Sequence, residues 1–219
     1  MTKKLRPKSK YFLFPPKHSL DSISCCYGFD RGTPVDRYYI EKFLEENKDE
    51  IRGRCLEITD NVYTRRFGKN RVKKSDVLDI DKKNNKANIH GDLRDLKEIK
   101  NDVYDCVIAT HTFGVIDEYQ KAVKECYRIL KPGGTLVATV SALGVAVELE
   151  KSFWRFTETS VRYVFGKFFG QENIKVCSLG NVLSGQAFWV GLAAEELSEE
   201  ELNYNDPRYS IIVGVIANK

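Results

Sequence analysis

With 219 residues, 42% of them apolar and 30% charged, the chain suits one domain with a substantial core and is too apolar for general disorder. The net charge of +4 is uneven: Lys3, Lys4, Arg6, Lys8, Lys10 and Lys17 precede the first acid, Asp21, leaving 29 basic against 31 acidic residues in the body. A nucleic-acid binder carries its positive charge on the folded body, so that class is set aside; residues 1–20 are expected as a flexible basic tail ahead of a single domain at 21–219. The longest apolar stretch, around Leu136–Val147, is broken by Thr139, Ser141 and Gly144 and falls short of the roughly 18 residues of a membrane span. Tyr11–Pro16 is too short and proline-broken for a signal peptide, so a cytoplasmic protein without a membrane span is expected. The six cysteines include no C-x-x-C pair and no histidine at ligand spacing; they read as free thiols, and no metal site is expected.

In chain order, Thr33-Pro34-Val35-Asp36 opens a helix to about Asn47, with Thr33 as cap and Ile40, Phe43 and Leu44 on one face. Arg54–Ile58 and Val77–Ile80 are short strands, and Ala87–Ile89 is a weaker one. Tyr104–Ala109, apolar on both faces, is a buried strand. A helix from about Asp117 ends at the Lys131-Pro132-Gly133-Gly134 turn, and Thr135–Val140 follows as a strand. A helix at Glu158–Phe169, a strand at Ile174–Leu179, a helix at Leu183–Leu197 and a closing strand at Ser210–Ile216 complete the chain. Strands separated by helices predict a doubly wound parallel sheet, with room for the last strand to enter antiparallel.

Ligands of such sheets lie beyond the C-terminal strand ends. The first loop offers Thr59, Asp60, Asn61 and Tyr63, the second strand ends at Asp79 and Asp81, the third leads to Asp92, and the fourth to Thr110-His111-Thr112. Carboxylates after strands two and three suit an adenosine, one for the ribose hydroxyls and one for the adenine amine. A dinucleotide would instead want closely spaced glycines after strand one, and none occurs before Gly68.

These residues resemble a known family. Arg31–Tyr39, Leu56-Glu57-Ile58, Gly91-Asp92-Leu93, Tyr104–Ile108, Leu130–Gly134, Trp154–Thr157 and Asp206-Pro207 are similar to class I S-adenosylmethionine-dependent methyltransferases, closest to a bacterial subgroup associated with glycosyltransferases and cell-surface polysaccharide modification. The resemblance implies a Rossmann-like, doubly wound seven-stranded mostly parallel sheet whose last strand is antiparallel. It also implies S-adenosyl-L-methionine as cofactor, with Glu57 at the acidic position of its motif and Leu93 beside Asp92. Thr59 stands where that motif usually has glycine.

Methyl transfer to a hydroxyl calls for a base, and His111, after the fourth strand, is either that base or a bystander. His90 reads as structural and His18 lies in the tail. Arg31, Arg37, Tyr38 and Tyr39 form either a lid reaching the methionine carboxylate or an anionic acceptor, or an ordinary surface helix. Trp154 and Arg155 suit a sugar face and a phosphate, or else a core anchor and a surface charge. Asn181 is an acceptor contact or a helix cap. The basic run Arg65–Lys74 reads as a solvated loop and helix face. The leading expectation is O-methylation of a sugar, sugar-nucleotide or phosphate-like group in capsular or lipopolysaccharide biosynthesis, with glycosyltransferases as pathway partners. N-methylation of a small metabolite, a nicotinamide-dependent oxidoreductase and a non-catalytic partner protein stand as alternatives.

Overall fold

The computed structural model describes residues 21–144 and 151–219. The tail expected at residues 1–20, with His18, lies outside the described residues, as does the end of the apolar stretch beyond residue 144. Seven strands, Gly53–Ile58 (β1), Val72–Asp79 (β2), Ile89–His90 (β3), Tyr104–Thr110 (β4), Leu130–Ser141 (β5), Ile174–Leu179 (β6) and Ile212–Asn218 (β7), form one sheet. Their order is β3-β2-β1-β4-β5-β7-β6. β1 to β5 pair in parallel, and β7 runs antiparallel to both β5 and β6. The expected Rossmann-like α/β sheet with an antiparallel closing strand is therefore the fold.

Helices Val35–Glu46 (α1), Tyr119–Ile129 (α2), Glu158–Phe169 (α3), Val182–Val190 (α4) and Glu199–Asn203 (α5) flank the sheet. β4 shows why the central strands read as unbroken apolar runs. Cys106 and Ile108 face the core shared with Ile40, Phe43 and Leu44 of α1, whereas Val107 and Ala109 face the one built with Val123 and Cys126 of α2 and Phe165 of α3. Cys55, Cys106 and Cys126 are free and buried, as small core residues. α1 settles close to the sheet because Gly214 lacks a side chain; a Cβ there would lie 2.5 Å from the Phe43 ring. Burying Phe43, Ile40 and Leu44 is worth about 1.5–3 kcal/mol each, enough to fix the helix whose first turn carries Asp36 and Arg37.

Several boundaries differ from the sequence reading. β2 starts at Val72, so Lys73 and Lys74 lie on a strand rather than a loop or helix. Arg65 and Arg66 stand in the widened helical turn Thr64–Gly68. The weak third strand is Ile89–His90, two residues later than its expected start. β5 begins at Leu130, directly after α2, and residues 131–134 bulge between the pairs Tyr104–Leu130 and Cys106–Thr135. The helix expected to reach Leu197 stops at Val190, because Gly191 turns left-handed at φ 79°. Thr33 does not cap α1; its hydroxyl donates to Glu195 Oε1 at 2.7 Å, and Pro34 takes the cap position.

Candidate active site

The C-terminal tips of β1 to β5 gather two groups of polar residues. The first surrounds β1 to β3. Glu57 is buried at the end of β1, where its carboxylate accepts the backbone N–H groups of Tyr63 (3.1 Å) and Thr64 (2.7 Å). Burial pushes its pKa up against those bonds. It therefore shapes the loop from inside. Thr59 has a left-handed backbone, at φ 74°, a conformation costing about 1–2 kcal/mol for a residue with a side chain. Its carbonyl accepts from Asn84 Nδ2 at 2.7 Å.

The acids of this region are held by their own loops. Asp79 accepts from the Asp81 N–H (2.9 Å) and from Asn84 Nδ2 (2.6 Å), and Asp81 accepts from the Lys83 N–H. Asp92 holds Arg94 through backbone and guanidinium together, with 2.5 Å to Nη2, and Arg94 also reaches Asp117 at 2.6 Å. That hydrogen-bonded guanidinium keeps the Asp92 carboxyl below its usual range. Asp60 caps the Val62 N–H, Asn61 donates to Ser75, and Leu93 is a core residue. Ile80, next to Asp79, is 67% exposed.

The second group forms a cleft of about 520 Å³ at the tips of β4 and β5. His111, Asp36, Arg37, Arg155, Lys151, Ser141 and Ser152 supply its polar lining, and Tyr27, Phe29, Val115, Leu143 and Phe188 its apolar one. Arg37, expected as part of a lid, donates to Tyr63 Oη at 2.8 Å and so ties this cleft to the β1 loop. Arg155 bonds the Trp154 carbonyl (3.0 Å) and Ser152 Oγ (2.9 Å). His111 adopts φ 51°, and its backbone N–H donates to Thr139 O at 2.8 Å. Burial lowers its pKa to about 4, opposed by Asp36 and reinforced by Arg37 and Arg155. Thr110, directly before it, accepts from Thr112 Oγ1 through its carbonyl.

Other expected contacts lie elsewhere, each for a local reason. Tyr39 is 2% exposed and donates to Leu202 O, so it is a core residue and no acceptor contact. Tyr38 turns to Asn203 on the far side of α1, and Arg31 pairs with Glu196. Asn181 is 4% exposed: it caps α4 through Ser184 N and donates to the carbonyls of Glu201 and Tyr204. Trp154 donates to Ile116 and Asp117 carbonyls and packs edge-on to Tyr119. The sequence reading missed Tyr27, Phe29 and Lys151 as lining. Asp36 enters the sequence reading only within the Thr33–Asp36 helix start and the Arg31–Tyr39 motif.

Residues 61–138 match the family model described as a methyltransferase domain. No curated protein matches the chain. Among solved structures, a S-adenosylmethionine-dependent methyltransferase from Archaeoglobus fulgidus superposes with a TM-score of 0.57 at 14% identity, over 84% of this chain and 94% of that one. The N-methyltransferase NodS of Bradyrhizobium japonicum, solved with S-adenosylhomocysteine, gives 0.52 at 13%, over 86% and 89%. The [4+2]-cyclase SpnF gives 0.55 at 12%, over 86% and 83%. At such identities the likeness is one of fold, and a cyclase on the same fold means that the acceptor chemistry must be argued from the site.

Proposed function

We propose, for a chain that carries a methyltransferase domain and takes S-adenosylmethionine as its cofactor, that the methyl group passes to an oxygen of an anionic acceptor. The observation carrying this reading is the cleft lining: Arg37, Lys151 and Arg155 against Asp36 alone among the described lining residues. Guanidinium groups bind phosphate or carboxylate oxygens in pairs, and the neighbouring Tyr27 and Phe29 rings suit a sugar face. A sugar, sugar-nucleotide or phosphate-like group fits both. The sequence resemblance to the polysaccharide-associated subgroup supports reading this acceptor as one on the route to a surface polysaccharide, methylated in the cytoplasm alongside glycosyltransferases. No described helix is long and apolar enough to cross a membrane.

The donor residues fit an adenosyl group. A carboxylate offers about four lone-pair sites, so Asp79 retains acceptor capacity beyond its two loop bonds. The exposed Ile80 adds an apolar surface for an adenine face, and the Asp92 side chain remains partly exposed. When bound, the cofactor supplies a methyl group already activated on a sulfonium. The chain's own part is to hold Thr59–Tyr63 in the bend that approaches it, to orient the acceptor through Arg37 and Arg155, and to exclude water.

Calorimetry with S-adenosylhomocysteine tests the donor half. Binding at micromolar affinity or better is expected, with Asp92→Ala about 10-fold weaker, the worth of one charge-assisted hydrogen bond. No heat and no thermal stabilisation at saturation would refute the reading. For the acceptor half, incubation of the protein and S-adenosylmethionine with nucleotide sugars and sugar phosphates should release S-adenosylhomocysteine, and Arg155→Ala should raise KM more than it lowers kcat.

A further inference from the structure

The two ring nitrogens of His111 stand in different surroundings. Nδ1 lies 3.8 Å from Asp36 Oδ2 at the cleft wall. Nε2 is buried without a hydrogen-bond partner. A neutral imidazole carries one N–H and one lone pair, and their placement here follows from those surroundings. A buried N–H without an acceptor is the rarer and costlier orphan. The Asp36 carboxylate also attracts a proton to the nitrogen that faces it. Both effects put the N–H on Nδ1 and leave the lone pair on Nε2, turned away from solvent. In that tautomer the cleft-facing nitrogen is a donor and takes no proton.

Asp36 is the alternative. Its Oδ1 accepts the Arg37 N–H at 2.7 Å, which aims Oδ2 at His111. It occupies the first turn of α1, where the helix dipole favours a carboxylate. It is also the sole acid among the described residues lining the cleft. The 3.8 Å gap is shorter than two hydrogen bonds end to end, so one oxygen can lie within bonding distance of both atoms.

We propose that Asp36, rather than His111, receives the proton of the acceptor hydroxyl, while His111 donates its Nδ1–H to the same oxygen and orients it. As the acceptor oxygen gains the methyl carbon, its O–H bond breaks and the proton passes to Asp36 Oδ2. The carbon–sulfur electron pair stays with the sulfur, which loses its positive charge. A carboxylate is a weak base, but it need only collect the proton as the new bond forms, because the methyl group arrives on a good leaving group. This assignment rests on the reading of the cleft as the acceptor site.

Long-range 1H–15N spectra of the 15N-labelled full chain read the tautomer directly, with His111 assigned by the peaks lost in His111→Gln. Should that variant unfold, His18→Gln and His90→Gln assign it by elimination. At pH 7, Nδ1 is expected to be protonated and Nε2 bare, with no titration between about pH 5.5 and 8. Asp36→Asn should move population toward the Nε2–H form, since the attraction holding the proton on Nδ1 is gone. A wild-type ring protonated mainly on Nε2, or a midpoint near pH 6.5, returns the base to His111 and overturns the proposal; so does an Asp36→Asn spectrum identical to the wild type. S-adenosylhomocysteine calorimetry on the same samples separates the two layers. Absence of binding removes the methyl-transfer reading whatever the tautomer, whereas retained binding with the wrong tautomer removes only the assignment to Asp36.

Discussion

The tips of β1 to β3 and the tips of β4 and β5 use charge in opposite ways. Around the first three strands each acid is already tied to its own loop: Glu57 to the N–H groups of Tyr63 and Thr64, Asp79 to Asn84, Asp92 to Arg94. At the next two, the groups come from distant segments, Asp36 and Arg37 from α1, His111 from the end of β4 and Arg155 from beyond β5, and one buried nitrogen is left without a partner. Local satisfaction builds a fixed surface for an invariant ligand. Convergence of groups from segments far apart in the chain builds a place where one ligand can meet several of them at once. Arg37, bonded to Tyr63, is the seam between the two regions.

The comparison is broken most severely at Glu57. Glu57→Ala removes the acceptor of two buried N–H groups, each costing about 1–3 kcal/mol when left unpaired. Relief of a buried charge offsets part of that. A net loss of about 3 kcal/mol is expected in urea unfolding, together with loss of S-adenosylhomocysteine binding, because the loop it shapes is the one proposed to meet the cofactor. Glu57→Gln, which retains one acceptor oxygen, should lose less. Equal stability of Glu57→Ala and wild type would show that the first region is not built from within.

In the second region the matching test is pH. His111 is neutral down to about pH 4 in the folded chain, whereas an unfolded histidine gains its proton near 6.5. Below 6.5 the unfolded state therefore binds more protons, so the stability contribution is fully present above that pH and is lost as pH falls toward 4. Because the ring is a quarter exposed, about 1–2 kcal/mol is the expected size after allowance for solvent screening. Urea midpoints measured from pH 7 to 4 should fall less steeply in His111→Gln than in wild type; identical slopes would mean that the ring titrates normally.

How far the sequence could be read follows the same division. The strands lining both cores are legible because burial on two faces leaves an unbroken apolar run, as at Cys106–Ala109 of β4. The loop acids were legible by position, since a strand end fixes where they stand. Tyr39 was misplaced because an exposed tyrosine and a buried one look alike until α5 is known to cover it. Asn181 reads equally as contact or cap because both roles use the same amide. Asp36 reads as part of a helix start, and nothing local indicates that it meets a histidine 75 positions away. Convergence across that distance is a property of the fold, and no local pattern carries it.

Thr59 gives the smallest expected effect and the finest probe of the first region. Its left-handed backbone is what a glycine would supply without strain, and Thr is branched at the carbon that makes such angles costly. Glycine also has more freedom to lose on folding, which cancels part of the gain. Thr59→Gly is therefore expected to stabilise the chain by about 1 kcal/mol, read as a melting-temperature rise of about 2–4 °C for a chain of this size. If the bend exists to bring backbone close to the cofactor, removing the side chain should also tighten S-adenosylhomocysteine binding. Stabilisation with unchanged affinity would show that Asn84, which holds the Thr59 carbonyl, sets the shape of this loop independently of the ligand.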